Sequence, residues 1–239
     1  MATLLSMLSN VAKTVGAHTP TAIIGSTDQT AQRLYQAMLR ECRFLVRRLP
    51  WTCLIREATI TTADGTASYP LESDFQRIID DTAWDQTNYW QMRGSLSPQE
   101  WQFQKRAILA QPVNRRRYRL KYDTVSKARE VFIDPTPTSV ATLSYEYVST
   151  SYCQATGGGA LKTEWSVDTD VPLFDDDLLE LGTTWRYLKA RGLPYADDQQ
   201  EWKTALRRAI ANDKPASAVD LTRNVRGAFV LPDGNYTLG

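Results

Sequence analysis

The residues that could do chemistry in this 239-residue chain are few and scattered. One histidine, His18, stands beside Thr19 and Pro20 in a loop-like stretch. Any Ser-His-Asp or Cys-His arrangement would depend on it alone, and no nucleophile motif accompanies it. The three cysteines, Cys42, Cys53 and Cys153, are odd in number and widely spaced. That argues against a disulfide framework or a CxxC zinc site and fits a reducing compartment. Asp168, Asp170 and the run Asp175, Asp176 and Asp177 could be imagined as ligands of a hard cation. They lack EF-hand spacing and its central glycine, and helix capping explains them more simply. Seven tryptophans and eleven tyrosines do not single out a sugar site, because helix stripes and sheet packing account for most of them. The residues therefore predict no catalytic group, no metal and no cofactor.

The second concentration of chemistry is cationic. Arg40, Arg43 and Arg47 lie on one side of a long helix by their three- and four-residue spacing. Arg115, Arg116 and Arg117 lead into a strand that carries Arg119. These groups are candidates for subunit or DNA contact: blandly a solvated or subunit-facing helix and a charge-protected edge strand, more sharply a phosphate-contacting surface. The helix has no polar base-reading set beside its arginines. Globally, 28 basic against 27 acidic residues leave a formal net charge of +1, so no overall field draws the chain onto nucleic acid or an anionic membrane. No apolar run approaches the roughly 20 residues that span a bilayer, and the first residues lack a basic stretch ahead of their apolar ones, so neither a membrane span nor a secretory signal is expected.

The elements that must position these residues follow from periodicity. Leu4, Leu8, Val11 and Val15 keep helical spacing and predict a short amphipathic helix. Ser26-Thr27-Asp28-Gln29 offers a capping box for a helix to Leu49 with Ala31, Leu34, Met38, Cys42 and Leu45 inward, and Pro50 ends it. The period then drops to 2. Strands are expected at Leu54 to Thr62, before Tyr69-Pro70, within Phe75 to Trp84, at Tyr118 to Tyr122, at Glu130 to Ile133 and at Val140 to Val148, the last three fitting one half-buried antiparallel sheet. One helix interrupts them, capped by Ser97 with Pro98 first and Glu100 third, and runs to about Leu109. Ser149 to Val167, with Gly157-Gly158-Gly159 inside it, reads as a flexible projecting loop rather than a phosphate cradle, since no Lys-Ser/Thr pair follows.

Asp168 to Asn212 reads as two helices folded back on each other. The first starts at the triple aspartate and places Leu178, Leu181, Trp185 and Leu188 on one face, which Leu179 widens, with Gly192 and Pro194 as its stop. The second carries Trp202, Ala205, Leu206, Ala209 and Ile210 on one face. After Asn212 the pattern fades, apart from the cluster Ala228, Phe229, Val230 and Leu231 with Tyr236 beyond it. An apolar clip on a polar tail suits docking onto a partner. The fold class expected is α+β: an antiparallel helical bundle with an inserted antiparallel β-rich subdomain and an extended C-terminal tail. Its divisions are 1–25, a short helix and loop; 26–50 with 168–212, the helical body; 51–167, the β-rich insertion; and 213–239, the tail.

Helices at both ends, a β-rich insertion with one helix inside it and an unpatterned tail together resemble the head-to-tail adaptor proteins of tailed bacteriophages. The resemblance rests on TASYPLESDFQRIIDDTAWD, SLSPQEWQFQK, VFIDPTPTSVATLSYEYVSTSYC and DTDVPLFDDDLLELGTTWRYLKARGLPYADDQQEW, in that order. It implies a non-enzymatic virion component made in the host cytoplasm. Such adaptors assemble as a twelve-fold ring beneath the portal protein, extend the channel for double-stranded DNA, and offer a platform to a tail tube or nozzle protein. Carried onto this chain, Asp28 to Leu49 and Asp175 to Arg191 would form the ring body. Ala228 to Leu231 and Tyr236 would dock on the portal. The β insertion would face the neighbouring subunit or the tail. The charge distribution itself suits such a ring, since the basic long helix and the acids of Asp168 to Asp177 are two unlike faces that would meet between adjacent copies. The alternatives are a nucleic-acid-binding protein using the arginine-rich helix and, further off, a carbohydrate-binding module using exposed aromatics of the insertion.

Overall fold

The computed structural model describes residues 2–106, 116–124 and 128–213. Among these residues the chain is mixed α and antiparallel β, with five α-helices and three sheets. The helices are α1 (Leu4–Thr14), α2 (Gln29–Arg48), α3 (Pro98–Arg106), α4 (Asp176–Arg191) and α5 (Ala196–Asp213). The strands are β1 (Ile55–Thr61), β2 (Ser68–Pro70), β3 (Phe75–Ile78), β4 (Trp84–Asp85), β5 (Trp90–Gln91), β6 (Arg117–Asp123), β7 (Ala128–Asp134), β8 (Thr142–Ser149), β9 (Cys153–Gln154), β10 (Leu161–Lys162) and β11 (Val171–Pro172).

The helix starts are set by side chains that take up unpaired amides. The capping box expected at Ser26 is replaced by a cap at Asp28, whose two carboxylate oxygens accept from the amides of Thr30 and Ala31, both at 3.2 Å. One carboxylate spans both donors, and Ser26 Oγ is left to accept from the Asp28 amide. At α3 the expected reciprocal box forms: the Ser97 amide donates to Glu100 Oε2 at 2.9 Å and the Glu100 amide to Ser97 Oγ at 3.2 Å. Asp175 caps α4 by accepting from the Asp177 amide at 3.0 Å. Gly192 ends α4 in the left-handed region at φ 72, where a side chain would be strained.

One core joins α1, α2, α4 and α5. Ala31, Leu34, Met38, Cys42 and Leu45 of α2 are all buried in it, as are Leu4, Leu8 and Val11 of α1. On α4 the stripe, expected to be widened by Leu179, is turned. Leu178, Leu179 and Trp185 are buried as expected, but Leu181 and Leu188 are only partly covered, while Gly182, Thr183, Thr184 and Tyr187 are enclosed. The reason is position: α4 packs against α1, α2 and α5 and is covered on more than one side. The start of α1 is tied to the start of α4. Leu4 and Leu5 amides donate to the carbonyls of Asp170 and Asp168 at 2.9 and 3.1 Å, and the Ala2 amide donates to Asp176 Oδ2 at 2.8 Å.

The second core lies in the β-rich part. It is built of Ala58, Tyr69, Ala83, Met92, Tyr118, Val131, Ile133, Leu143, Tyr145 and Tyr147. The largest sheet has the order β1-β8-β4-β5, with β3 also paired to β8. The register of β1 on β8 runs from Ile55 opposite Val148 to Thr61 opposite Thr142. A second sheet has the order β2-β7-β6. The three strands expected to share one sheet are thus divided, because β8 buries residues on both faces and takes a central place, whereas β6 and β7 pair with β2 instead.

Asp74 fastens the far end of β8. Its carboxylate accepts from Tyr147 Oη at 3.0 Å, from Ser151 Oγ at 3.1 Å and from Ser149 Oγ, while Tyr145 Oη donates to Glu72 at 2.5 Å. The segment Ser149 to Val167, expected as a flexible projecting loop, is corrected. It carries β9 and β10 of a third sheet, ordered β10-β9-β11, and buries Tyr152, Cys153 and Trp165 in the helical core. The turn with Gly157 and Gly158 is exposed, as are Thr163, Glu164, Ser166 and Val167, while burial of Tyr152 and Trp165 anchors the segment on the helical core.

Candidate functional site

Three helices converge on one carboxylate. Glu41 of α2 is 0 % exposed. Its Oε2 accepts from Arg186 Nε of α4 at 2.6 Å and its Oε1 from Trp202 Nε1 of α5 at 2.9 Å. Burial raises the Glu41 carboxyl above its ordinary range, and the Arg186 charge and both hydrogen bonds only partly offset this. Room for the carboxylate comes from Gly182: a Cβ there would stand 2.6 to 2.7 Å from Glu41 Cγ and Oε1. Arg186 also lies over Trp185, its guanidinium carbon 4.5 Å from the ring centroid. Glu41 escaped the sequence reading because it sits inside an otherwise apolar stripe; an acid at that spacing is the one available signal. The arrangement fixes α2, α4 and α5 to one another.

The acids imagined as cation ligands are engaged within the chain. Asp168 accepts from the amides of Ile23 and Ile24 at 3.0 and 2.8 Å. Asp170, fully buried, accepts from Lys162 Nζ at 2.6 Å and from the amides of Ser166 and Val167. Burial pushes its carboxyl up, yet the lysine and the amides outweigh this and hold it below its ordinary value. Asp168 and Asp170 thus pin loops rather than cap a helix. Among the described residues no group of three histidines, cysteines and carboxylates stands together as a metal site, and His18 is exposed.

The candidate cations separate into three situations. Arg40, Arg43 and Arg47 are exposed along α2, and Arg43 pairs with Glu164 at 3.0 Å with both side chains more than half open to solvent. Arg116 is buried, its Nε 3.3 Å from Asp85. Arg117 begins β6 and is half-buried. Arg115 lies outside the described residues, as do Ala228, Phe229, Val230, Leu231 and Tyr236. The structure therefore brings Arg40, Arg43 and Arg47 onto one surface and puts Arg116 and Arg117 elsewhere.

Two surface features were not singled out in the sequence. The first is the β4–β5 hairpin. Asp85 shapes its turn by accepting from the amides of Thr87 and Asn88 at 3.1 and 3.0 Å and from Asn88 Nδ2 at 2.9 Å. Tyr89 follows with φ 58 and is 86 % exposed, with Trp84 43 % and Trp90 36 % exposed. They border a hollow of about 650 Å³ that Asp81, Arg93 and Arg117 also line. The second is a groove of about 550 Å³ where the end of α2 meets the β-rich part, walled by Val46, Arg47, Leu71, Phe75, Tyr122 and Arg129. Adjacent Tyr89 and Trp90 in a polar stretch were the only signal for the hairpin. The groove draws on four separate segments and has none.

Buried charges lock the helices together, and the surface carries two features of aromatic and cationic character. Residues 2–227 match the family described as SU10 adaptor protein, and the chain belongs to it: a phage adaptor. No curated protein matches the chain. No helix among the described residues is long and apolar enough to cross a membrane.

Proposed function

We propose that this adaptor is the head-to-tail connector of a tailed phage: copies form a closed ring under the portal protein, continue the DNA channel, and present a platform to the tail tube or nozzle. The observation that carries this reading is the family match over residues 2–227, nearly the whole chain. The near-neutral balance of charge supports a ring that passes double-stranded DNA without gripping it. In this reading residues 26–50 and 168–212 form the ring body, joined by the N-terminal helix that shares their core. Residues 51–167 face the next copy or the tail, and the C-terminal segment with Ala228 to Leu231 and Tyr236 docks on the portal. Arg40 and Arg47 are exposed for a subunit contact, and Arg43 beside them pairs with Glu164 of its own chain. Their acidic counterpart is smaller than the count of aspartates suggests, since Asp168, Asp170 and Asp176 are engaged within the chain.

Mass in solution, measured for the chain alone and mixed with portal rings, tests the reading. Multimers of defined mass or a complex with the portal are expected. A chain that stays monomeric and ignores the portal refutes it.

A further inference from the structure

A ring of identical copies needs two different, complementary patches on each copy, because a heterologous contact joins one patch of a subunit to another patch of its neighbour. The exposed hairpin and the groove have the required relation. They lie at opposite ends of the β-rich part: Arg117 at the start of β6 borders the hairpin's hollow, and Tyr122 near its end walls the groove, roughly 17 Å further along at strand rise. The central strand agrees, since Ser144 pairs with Trp84 of the hairpin while Thr150, just past the strand's other end, lines the groove.

Their chemistry is complementary as well. The hairpin offers Trp84, Tyr89 and Trp90 with exposed Asp80 and Asp81 beside them. The groove offers apolar surface from Val46, Leu71 and Phe75 flanked by Arg47 and Arg129, cations suited both to aromatic faces and to carboxylates; Arg129 also donates to the Gln76 carbonyl, and the one acid in the lining, Glu72, accepts from Tyr145 Oη. Solvent-exposed aromatics on a turn held rigid by Asp85 are the kind of anchor that carries most of an interface's energy, at small ordering cost.

We propose that the β4–β5 hairpin of one copy, led by Tyr89, inserts into the groove between Arg47 and Arg129 of the next copy, making a head-to-tail contact between subunits. This rests on the ring reading above and names its contact.

The test uses the full chain in a Cys53→Ser background, carrying Gln86→Cys, an exposed turn position beside Tyr89 that leaves the tyrosine in place, Ala128→Cys or both, treated with a short bis-maleimide alone and with portal rings present. The doubly substituted chain should give a ladder of covalent multimers and each single variant none, while a mixture of the two single variants should stop at heterodimers. Tyr89→Ala should raise the concentration for half-assembly by about tenfold or more, with the circular dichroism of the monomer unchanged. Multimers that form without a Gln86–Ala128 cross-link overturn the hairpin contact and leave the ring reading standing. Cross-linking of Gln86→Cys to itself also overturns it, since that is a two-fold contact. No multimers under either condition overturn both.

Discussion

Replacing Glu41 by alanine is the sharpest perturbation of the helical core. The change removes the acceptor of Arg186 Nε at 2.6 Å and of Trp202 Nε1 at 2.9 Å. Removing one partner of a buried ion pair costs about 3–5 kcal/mol, because the other charge stays enclosed. Arg186 keeps some contact with water, its side chain being 19 % exposed, and keeps its ring partners, so the lower end applies, about 3 kcal/mol. For a chain of this size that is a fall in melting temperature of about 6–12 °C, read by thermal and urea unfolding followed by tryptophan fluorescence. The double variant Glu41→Met with Arg186→Met should lose less than the sum of the two single changes, by about 1–3 kcal/mol. A loss below about 1 kcal/mol for Glu41→Ala, or strictly additive single changes, would refute the claim that the two groups are coupled in a water-poor site. The sign with pH follows from the raised carboxyl. The folded state holds the proton more tightly than the unfolded one, so this group's stabilisation is full below the ordinary glutamate value near about 4.3 and is lost as pH rises through the raised folded value. Glu41→Gln should remove that slope.

Gly182→Ala tests the same site from the other side. Helix propensity alone favours alanine by about 1 kcal/mol, whereas the collision with Glu41 costs about 1–3 kcal/mol; a lower melting temperature is expected, and a higher one would show that α2 and α4 are free to separate. Asp170→Asn should flatten stability in the acid range. The native Asp170 carboxyl is held low, so its contribution is present above the ordinary aspartate value and disappears as pH falls through the folded value, which acid titration of unfolding measures. The thiols should resist iodoacetamide at pH 8 in the native chain, with burial raising Cys42, Cys153 to about 12 and Cys53 to about 11. Mass spectrometry should find rapid labelling of all three in denaturant alone. Arg40→Glu with Arg43→Glu should change stability by less than about 0.5 kcal/mol for each exposed position, while weakening ring assembly at low salt; assembly untouched across salt concentrations would remove these arginines from the subunit contact.

Local pattern made much of this chain legible. Caps at Ser97 and Asp175, the stop at Gly192 and the buried stripe of α2 depend on neighbours within a few residues, and such contacts form wherever the backbone turns helical. Tertiary structure decided the rest. Whether Ser149 to Val167 projects or packs turned on Tyr152 and Trp165 finding the helical core, a matter of distant partners rather than of the glycines within the segment. The division of the strands into separate sheets turned on β8 being covered on both faces. Glu41 and Arg186 are 145 residues apart, and no periodicity links them. The groove took shape only when α2, the approach to β3, β6 with β7, and the residue after β8 came together. Helix ends and stripes are local free-energy choices along one segment, but enclosure of a charge and the shape of a surface are set by which segments exclude water together, and that is settled in three dimensions.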